Sequence, residues 1–372
     1  MPRVLLVTND FPPTIGGIQS YLRDFVDTLD PSQVVVLCST QDAQAAQLYD
    51  ASVPYTVIRL PQRVLLPTPG TRRAMCEAIT RHNIDVVWFG AAAPLALLAP
   101  AARKAGARKI VASTHGHEVG WAMLPGARQV LRGIGKHVDV LTYISYYTLG
   151  RLRGAFGSGP RWAHLPSGVS LEQFRPGGDV AAAREYFGLD PARPVVVCIS
   201  RFVPRKGQDQ LLRVMPELTQ RHPGVQLLLV GRGRYRTTLE QLAQRYFPGT
   251  VFYEAAGSAE LHRALTAADV FAMPARTRGG GLDVEGLGIV YLEAQAAGVA
   301  VVAGDSGGAP ETVTPETGVV VSGTDERQLL AALDMLLRDP QLRQRMGAAG
   351  RAHVEQQWTW GIMGQRLRDI LA

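Results

Sequence analysis

Short runs of consecutive apolar residues alternate along the chain with stretches in which apolar positions recur every three or four residues. In the first half the runs are RVLLVT, QVVVLCS, DVVWF, KIVAST and VLTYIS, with amphipathic segments such as IQSYLRDFVDTL (Ile18 to Leu29) between them. An unbroken apolar run suits a strand covered on both faces, as in a parallel sheet, and the intervening segments suit the covering helices. The second half repeats the pattern, with VVVCIS, VQLLLVG, DVFAMP and VAVVAG separated by LLRVMPEL, ELHRALTAA and IVYLEAQAA. This alternation predicts an α/β chain of two doubly wound, Rossmann-like domains.

The length of 372 residues fits two cores rather than one. A proline- and glycine-rich stretch, PSGVSLEQFRPGG (Pro166 to Gly178), falls between the two alternations and marks a linker. The expected domains are therefore 1–167 and 168–355, followed by a helical tail, 356–372. Ligands in open parallel sheets bind beyond the carboxyl ends of the strands. Two such domains facing each other would make a cleft with one substrate on each wall.

The densest chemistry lies in ARTRGGGLDVEGLGIVYLEAQ, where Glu285 and Glu293 stand eight residues apart downstream of Gly279 to Gly281. If Glu285 sits at the mouth of a helix and Glu293 two turns inside it, the pair can grip two distant parts of one elongated ligand. The N–H groups around Gly288, Ile289 and Val290 at the helix start favour a phosphate. Carboxylates only accept hydrogen bonds, which suits sugar and ribose hydroxyls. The physical reading is a sugar nucleotide, with Glu285 on the sugar, the helix start on the diphosphate and Glu293 on the ribose. Such a spacing also arises by chance on solvated helices, so its weight comes from RFVPRKG, which puts Arg201 and Lys206 after the strand VVVCIS. Two cations there can converge on one diphosphate.

These residues resemble the retaining glycosyltransferases of the GT-B fold, and the resemblance runs nearly the whole length of the chain. More narrowly, GGIQSYLRDF, HGHEVGWAMLPGARQ and PARTRGGGLDVEGLGIVYLEAQ are similar to the GDP-mannose-dependent phosphatidylinositol monomannoside mannosyltransferases. The resemblance implies two facing domains with an interdomain cleft, a final helix crossing back onto the first domain, GDP-mannose as donor and a phosphoinositide glycolipid as acceptor. It also implies transfer with retention at the 6-position of the inositol, and no tightly bound cofactor or metal. Thr114, His115 and Gly116 match the family's Thr-His-Gly pattern, which implies that His115 touches the transferred sugar; His117 is the reserve choice. The preference for guanine rests on the resemblance, because VFYEAAGSAELH (Val251 to His262), the segment expected to cradle the base, departs from the usual pattern.

Other site residues are read with their plainer alternatives. Gly16 and Gly17, between the first strand and first helix, let backbone approach a phosphate or sugar, or simply make a tight turn. Gly231, in VGRGRY, belongs to an incomplete dinucleotide fingerprint and is placed on the donor side. Asn9 and Asp10 end the first strand and would bind or orient the acceptor, although Asp10 could equally cap its turn. Glu311 reads as a helix-start residue. A His-x-His pair with Glu118 lacks an obvious further ligand for zinc. A retaining glycosidase needs two carboxyls about 5 Å apart, which helical residues eight apart do not supply. A sugar-nucleotide-binding regulator without turnover is disfavoured by the presence of Arg201, Lys206, Glu285 and Glu293 together.

Charge adds one clue. Residues 1–167 hold 17 basic and 10 acidic side chains, so the whole net charge of +7 lies in that half. Arg59, Arg63, Arg72, Arg73 and Arg81 surround the apolar VLLP, and Arg128, Arg132 and Lys136 recur at helical spacing. The pattern fits docking on an anionic lipid surface, hence a peripheral protein at the cytoplasmic face of the plasma membrane. A solvated basic face without a partner is the plain alternative, and nucleic acid is disfavoured by the lack of any binding motif. The three cysteines, Cys38, Cys76 and Cys198, read as buried free thiols of a reducing compartment. The uncharged run Val86 to Ala102 is broken by Gly90, Pro94 and Pro100 and reads as strand, loop and helix start rather than a membrane span.

Overall fold

A computed structural model of the chain describes residues 1–14 and 16–372. Two compact units are present, Met1–Gly168 with Trp360–Ala372, and Val169–Thr359. The chain thus leaves the first unit one residue beyond the boundary read from composition, and returns to it four residues beyond the second.

In the first unit, strands β1 (Val4–Thr8), β2 (Val34–Ser39), β3 (Thr56–Leu60), β4 (Val86–Phe89), β5 (Lys109–Ser113), β6 (Val140–Tyr143) and β7 (Arg161–His164) form one sheet in the order 3-2-1-4-5-6-7. In the second, β8 (Val195–Ile199), β9 (Gln226–Val230), β10 (Val251–Tyr253), β11 (Val270–Met273), β12 (Ala300–Gly304) and β13 (Gly318–Val321) are ordered 10-9-8-11-12-13. Every strand pair is parallel. The nine apolar runs are the inner strands. The four edge strands β3, β7, β10 and β13 are less buried, and in β3 (TVIRL) and β7 (RWAH) polar residues interrupt the apolar run.

Each sheet reverses its strand order beside its first strand, between β1 and β4 and between β8 and β11. A crevice opens at such a point beyond the strands' carboxyl ends. Covering helices fix these ends in place. Trp88 on β4 is wholly buried, and its indole N–H donates to Ser113 Oγ on β5 at 2.9 Å. Burying a side chain of this size contributes about 1.5–3 kcal/mol or more, and the hydrogen bond spares the cost of a dry N–H.

The final helix, Trp360–Leu371, belongs to the first unit. Its buried residues Met363, Leu367, Ile370 and Leu371 recur at helical spacing and give one apolar face. The Trp360 ring meets Phe25 edge-on at 5.1 Å, and Arg368 donates to the Thr28 carbonyl at 3.0 Å. Gly364 lies so close to Thr28 that a Cβ there would sit 2.7 Å from the threonine Cβ.

The run from Val86 contains β4, a turn of 3-10 helix (Leu95–Leu98) and the start of the helix Ala99–Lys104. Among the described residues no helix is long and apolar enough to cross a membrane. The cysteines carry free thiols; Cys38 and Cys198 are buried, whereas Cys76 is only half-buried, contrary to the expectation for all three.

Candidate active site

In the second unit, the segment after β8 and the loop before the helix Ile289–Ala296 meet at the switch point between β8 and β11. Glu285 is 7% exposed, and its Oε2 lies 2.7 Å from the Lys206 ammonium, itself 8% exposed. Arg205 approaches the same oxygen with Nε at 3.6 Å and reaches Asp283 with Nη1 at 3.1 Å. Burial alone would raise the Glu285 pKa. The charges of Lys206 and Arg205, with Arg201 beyond them, outweigh it and hold the carboxyl below its usual range. Glu285 is therefore ionised at neutral pH although it is almost dry. Arg201 is exposed and enters no ion pair among the described residues.

Backbone hydrogen bonds hold Glu285 as well. Its N–H donates to Ser306 Oγ at 3.1 Å, and its carbonyl accepts from Gly308 N–H at 3.0 Å. Gly307 passes so near that a Cβ would lie 1.9 Å from the Glu285 carbonyl oxygen, and its φ of 57° is in the left-handed region.

Glu285 is not at the helix mouth. The helix begins at Ile289, and Gly288, with φ 87° and ψ 59°, forms its N-cap without any side-chain capping bond. Glu285 stands in the loop three residues earlier, and half-buried Glu293 lies little more than one turn into the helix rather than two. The chain bends at Gly286 and takes a left-handed backbone at Gly288, so the helix does not start until Ile289. The first turn nevertheless presents Ile289 and Val290 without a capping side chain. Gly231 takes φ 148°, and a Cβ there would meet the Ser200 carbonyl oxygen at 2.0 Å, so its glycine is required by the close passage of the β8 and β9 ends. Glu311 is the third residue of a 3-10 turn, Ala309–Thr312.

The segment after β10, expected to cradle the base, is fixed by Glu260, which accepts hydrogen bonds from Tyr253 Oη at 2.6 Å, Tyr186 Oη at 2.8 Å and the Ala256 N–H. Glu254 pairs with Arg232 across 3.3 Å.

In the first unit, a second cluster forms where β1, β4 and β5 end. Glu118 is fully buried, and its Oε2 accepts from the N–H groups of His115 at 3.0 Å and Gly116 at 3.2 Å. Its Oε1 lies 3.3 Å from His117 Nε2. His115 Nε2 is 2.6 Å from the Gly90 carbonyl oxygen, which can only accept. Nε2 therefore carries the proton and Nδ1 is left as an acceptor. Burial lowers the His115 pKa more than Glu118 raises it, which keeps the ring neutral. Tyr21 stands edge-on to that ring at 4.8 Å, and the His117 ring lies nearly parallel to it.

Asp10 accepts from Gln19 Nε2 at 2.9 Å, and its pKa is raised by burial against the opposing pull of His115 and His117. Asn9, expected on the acceptor, is occupied otherwise. Its amide donates to the Leu65 carbonyl at 3.0 Å and accepts from the Leu65 N–H, so it clamps the loop after β3. Gly16 is the N-cap of the helix Gly17–Val26 with an extended φ of 179°, and a Cβ on Gly17 would meet nothing within 4 Å. Neither glycine is demanded by backbone strain. No group of three or more His, Cys, Asp or Glu among the described residues could hold a metal ion.

Comparison with known proteins decides the family. The model described as Glycosyltransferase Family 4 matches residues 15–173, and that described as Glycosyl transferases group 1 matches residues 179–353. A GDP-mannose-dependent monoacylated alpha-(1-6)-phosphatidylinositol monomannoside mannosyltransferase of Corynebacterium glutamicum is 59% identical over 99% of this chain and 97% of its own. A GDP-mannose-dependent alpha-(1-6)-phosphatidylinositol monomannoside mannosyltransferase of Mycobacterium tuberculosis is 50% identical over 100% and 98%. The chain is a GT-B glycosyltransferase of the family 4 type. Solved structures of the same fold include a sucrose-phosphate synthase from Thermosynechococcus elongatus, with TM-score 0.80, 22% identity and coverage of 99% and 97%. Another is Anabaena Alr3699/HepE in complex with UDP and glucose, with TM-score 0.81, 18% identity and coverage of 100% and 99%.

In this glycosyltransferase the structure brings Lys206 and Glu285 together, with Gly288 and the start of the helix Ile289–Ala296 following in the chain. Sequence reasoning missed Arg205, one of 35 arginines, and Glu118 as a buried carboxylate. Signals existed for both: Asp283 and Glu285 alternate on one loop and call for a shared cation, and an acid directly follows His-Gly-His. The basic surface of the glycosyltransferase also differs in part. Arg59 is not on a free basic face, since it pairs with Asp50 at 2.7 Å and donates to the Pro12 carbonyl at 2.6 Å.

Proposed function

We propose that this glycosyltransferase moves mannose from GDP-mannose to a phosphatidylinositol monomannoside, at the 6-position of the inositol and with retention. Donor and acceptor rest on the near full-length identity of 59% to the Corynebacterium glutamicum enzyme. The observation that carries the chemistry is the dry, ionised Glu285 held 2.7 Å from Lys206 beside the exposed Arg201.

Lys206, Arg201 and the uncapped turn at Gly288, Ile289 and Val290 receive the diphosphate, Glu285 accepts from sugar hydroxyls, and Glu293 accepts from the ribose. Gly231 lets the donor approach the backbone after β9. In the first unit, His115 offers Nδ1 to a sugar hydroxyl, Asp10 orients the acceptor, and Gly16 and Gly17 leave room for backbone to approach the phosphate or sugar. As the bond from the anomeric carbon to the diphosphate oxygen breaks, the two cations and the helix start stabilise the leaving charge, a contribution of roughly 3–4 kcal/mol per well-placed donor. The acceptor oxygen bonds the same face of that carbon and gives its proton to the departing diphosphate oxygen. Glu285 positions the sugar rather than attacking it. The residues named supply this leaving-group stabilisation themselves.

The acceptor is a lipid, and the first unit carries exposed apolar residues beside its bases. Val64 is 62% exposed next to Arg63 in the chain, with exposed Arg72 and Arg73 following, and Leu124 is 60% exposed ahead of Arg128, Arg132 and Lys136. This supports peripheral docking on an anionic membrane at its cytoplasmic face.

The test is incubation of purified protein with labelled GDP-mannose and phosphatidylinositol monomannoside, with UDP-glucose and Glu285→Ala as controls. A labelled dimannoside that disappears in the variant is expected; transfer from UDP-glucose instead would overturn the donor assignment.

A further inference from the structure

Arg205 occupies a position that the donor-site reading leaves without a role. It precedes Lys206 in a turn of 3-10 helix, so adjacent residues aim two cations at one oxygen of Glu285, at 3.6 Å and 2.7 Å. Its Nε is buried and makes no hydrogen bond. The rest of the guanidinium is anchored away from that oxygen, with Nη1 on Asp283 at 3.1 Å. The backbone is anchored as well: the Arg205 carbonyl accepts from Arg276 N–H at 2.8 Å, and Arg276 holds both oxygens of buried Asp209 at 2.9 Å. Lys206 ends in a compact ammonium on a flexible stem and can be shared between anions. Arg205 is a planar fork fixed between two carboxylates.

Consider the arrival of a diphosphate. It draws Lys206 and brings negative charge towards Glu285, which is buried and would then lack a full counter-charge. A buried carboxylate stripped of its partner takes up a proton or moves, and either change removes the acceptor oxygens that a sugar hydroxyl needs. We propose that Arg205 is a positioning residue that keeps Glu285 ionised and in place while Lys206 engages the donor diphosphate. The proposal rests on the assignment of Lys206 to the diphosphate. The charged and titratable groups facing Glu285 are Lys206, Arg205 and Arg201 after β8, Asp283 on its own loop, and Tyr291 from the following helix. Of the cations, Arg205 is the one tied to a second carboxylate of the same loop.

The experiment compares Arg205→Gln, Arg205→Lys and Lys206→Met for GDP affinity by calorimetry, and the Arg205 variants for kcat and the pH profile of mannosyl transfer. For Arg205→Gln we expect GDP affinity within about twofold of the parent. Its kcat should fall tenfold or more, and the acid limb of its pH profile should move to higher pH. Arg205→Lys, which keeps the charge, should show the same changes to a smaller degree and gives the reading if the glutamine variant does not fold. An unchanged kcat and acid limb, or a loss of GDP affinity as large as that of Lys206→Met, would overturn the proposal. If Lys206→Met binds GDP as well as the parent, the diphosphate assignment itself fails, which is a separate result.

Discussion

The Lys206 ammonium and the Glu285 carboxylate lie 2.7 Å apart, and neither side chain is more than a tenth exposed. Two charges are thus held out of water at the site proposed for the donor diphosphate. Breaking such a pair from one side costs at most about 3–5 kcal/mol, less what Arg205 supplies. Lys206→Met should therefore lower the melting temperature, and adding Glu285→Gln should restore much of it. Calorimetric unfolding of the two single variants and the double variant checks this; strict additivity would show that the pair is not coupled. Transfer should be lost in all three.

His115 offers a neutral acceptor nitrogen because Gly90 fixes the other as a donor. A neutral hydrogen bond contributes about 0.5–1.5 kcal/mol, so His115→Ala should reduce kcat/KM roughly 2- to 12-fold with little change in GDP affinity. Donor analogues lacking one sugar hydroxyl at a time provide the check: the analogue that the parent discriminates against should be discriminated less by the variant.

Burial pushes the Cys38 and Cys198 thiols up to about 12, while the less buried Cys76 is raised by a smaller degree of burial. The thiolate is the reactive form. Iodoacetamide at pH 8 should label Cys76 first and spare the other two until the protein unfolds, as read by peptide mass mapping.

His164 on β7 has its pKa lowered to about 4, first by burial and then by the charge of Arg366 on the final helix. The unfolded chain binds a proton near the ordinary histidine value of about 6.5, where the folded protein does not. Stability should hold above that value and decline as the pH falls from about 6.5 to about 4. Urea midpoints across this range check it, and His164→Gln should flatten the decline.

Much of this architecture was legible in the sequence because inner parallel strands are apolar on both faces, as in VLLVT and VVVCI. Edge strands such as TVIRL and RWAH were harder, since half their positions face outward. The spacing of Lys206 and Glu285 located one pair, but it could not give the starting point of the helix, which depends on Gly288 taking a left-handed backbone. Asn9 shows a further limit. A polar residue at the end of β1 suits a ligand or a loop clamp equally well, and only the position of Leu65, 56 residues away, separates the two.

The division at Gly168 and Trp360 also bears on where the chain tolerates being shortened. Val169 and Thr359, the ends of the second unit, pair side by side, and Val169 N–H donates to the Trp358 carbonyl at 2.7 Å. The second unit is thus an insertion whose ends already meet, and it is closed without Trp360–Leu371. A chain cut back before Trp360 would keep that closure while losing from the first unit the helix that packs Trp360 on Phe25, so the two units should differ in their tolerance of the cut.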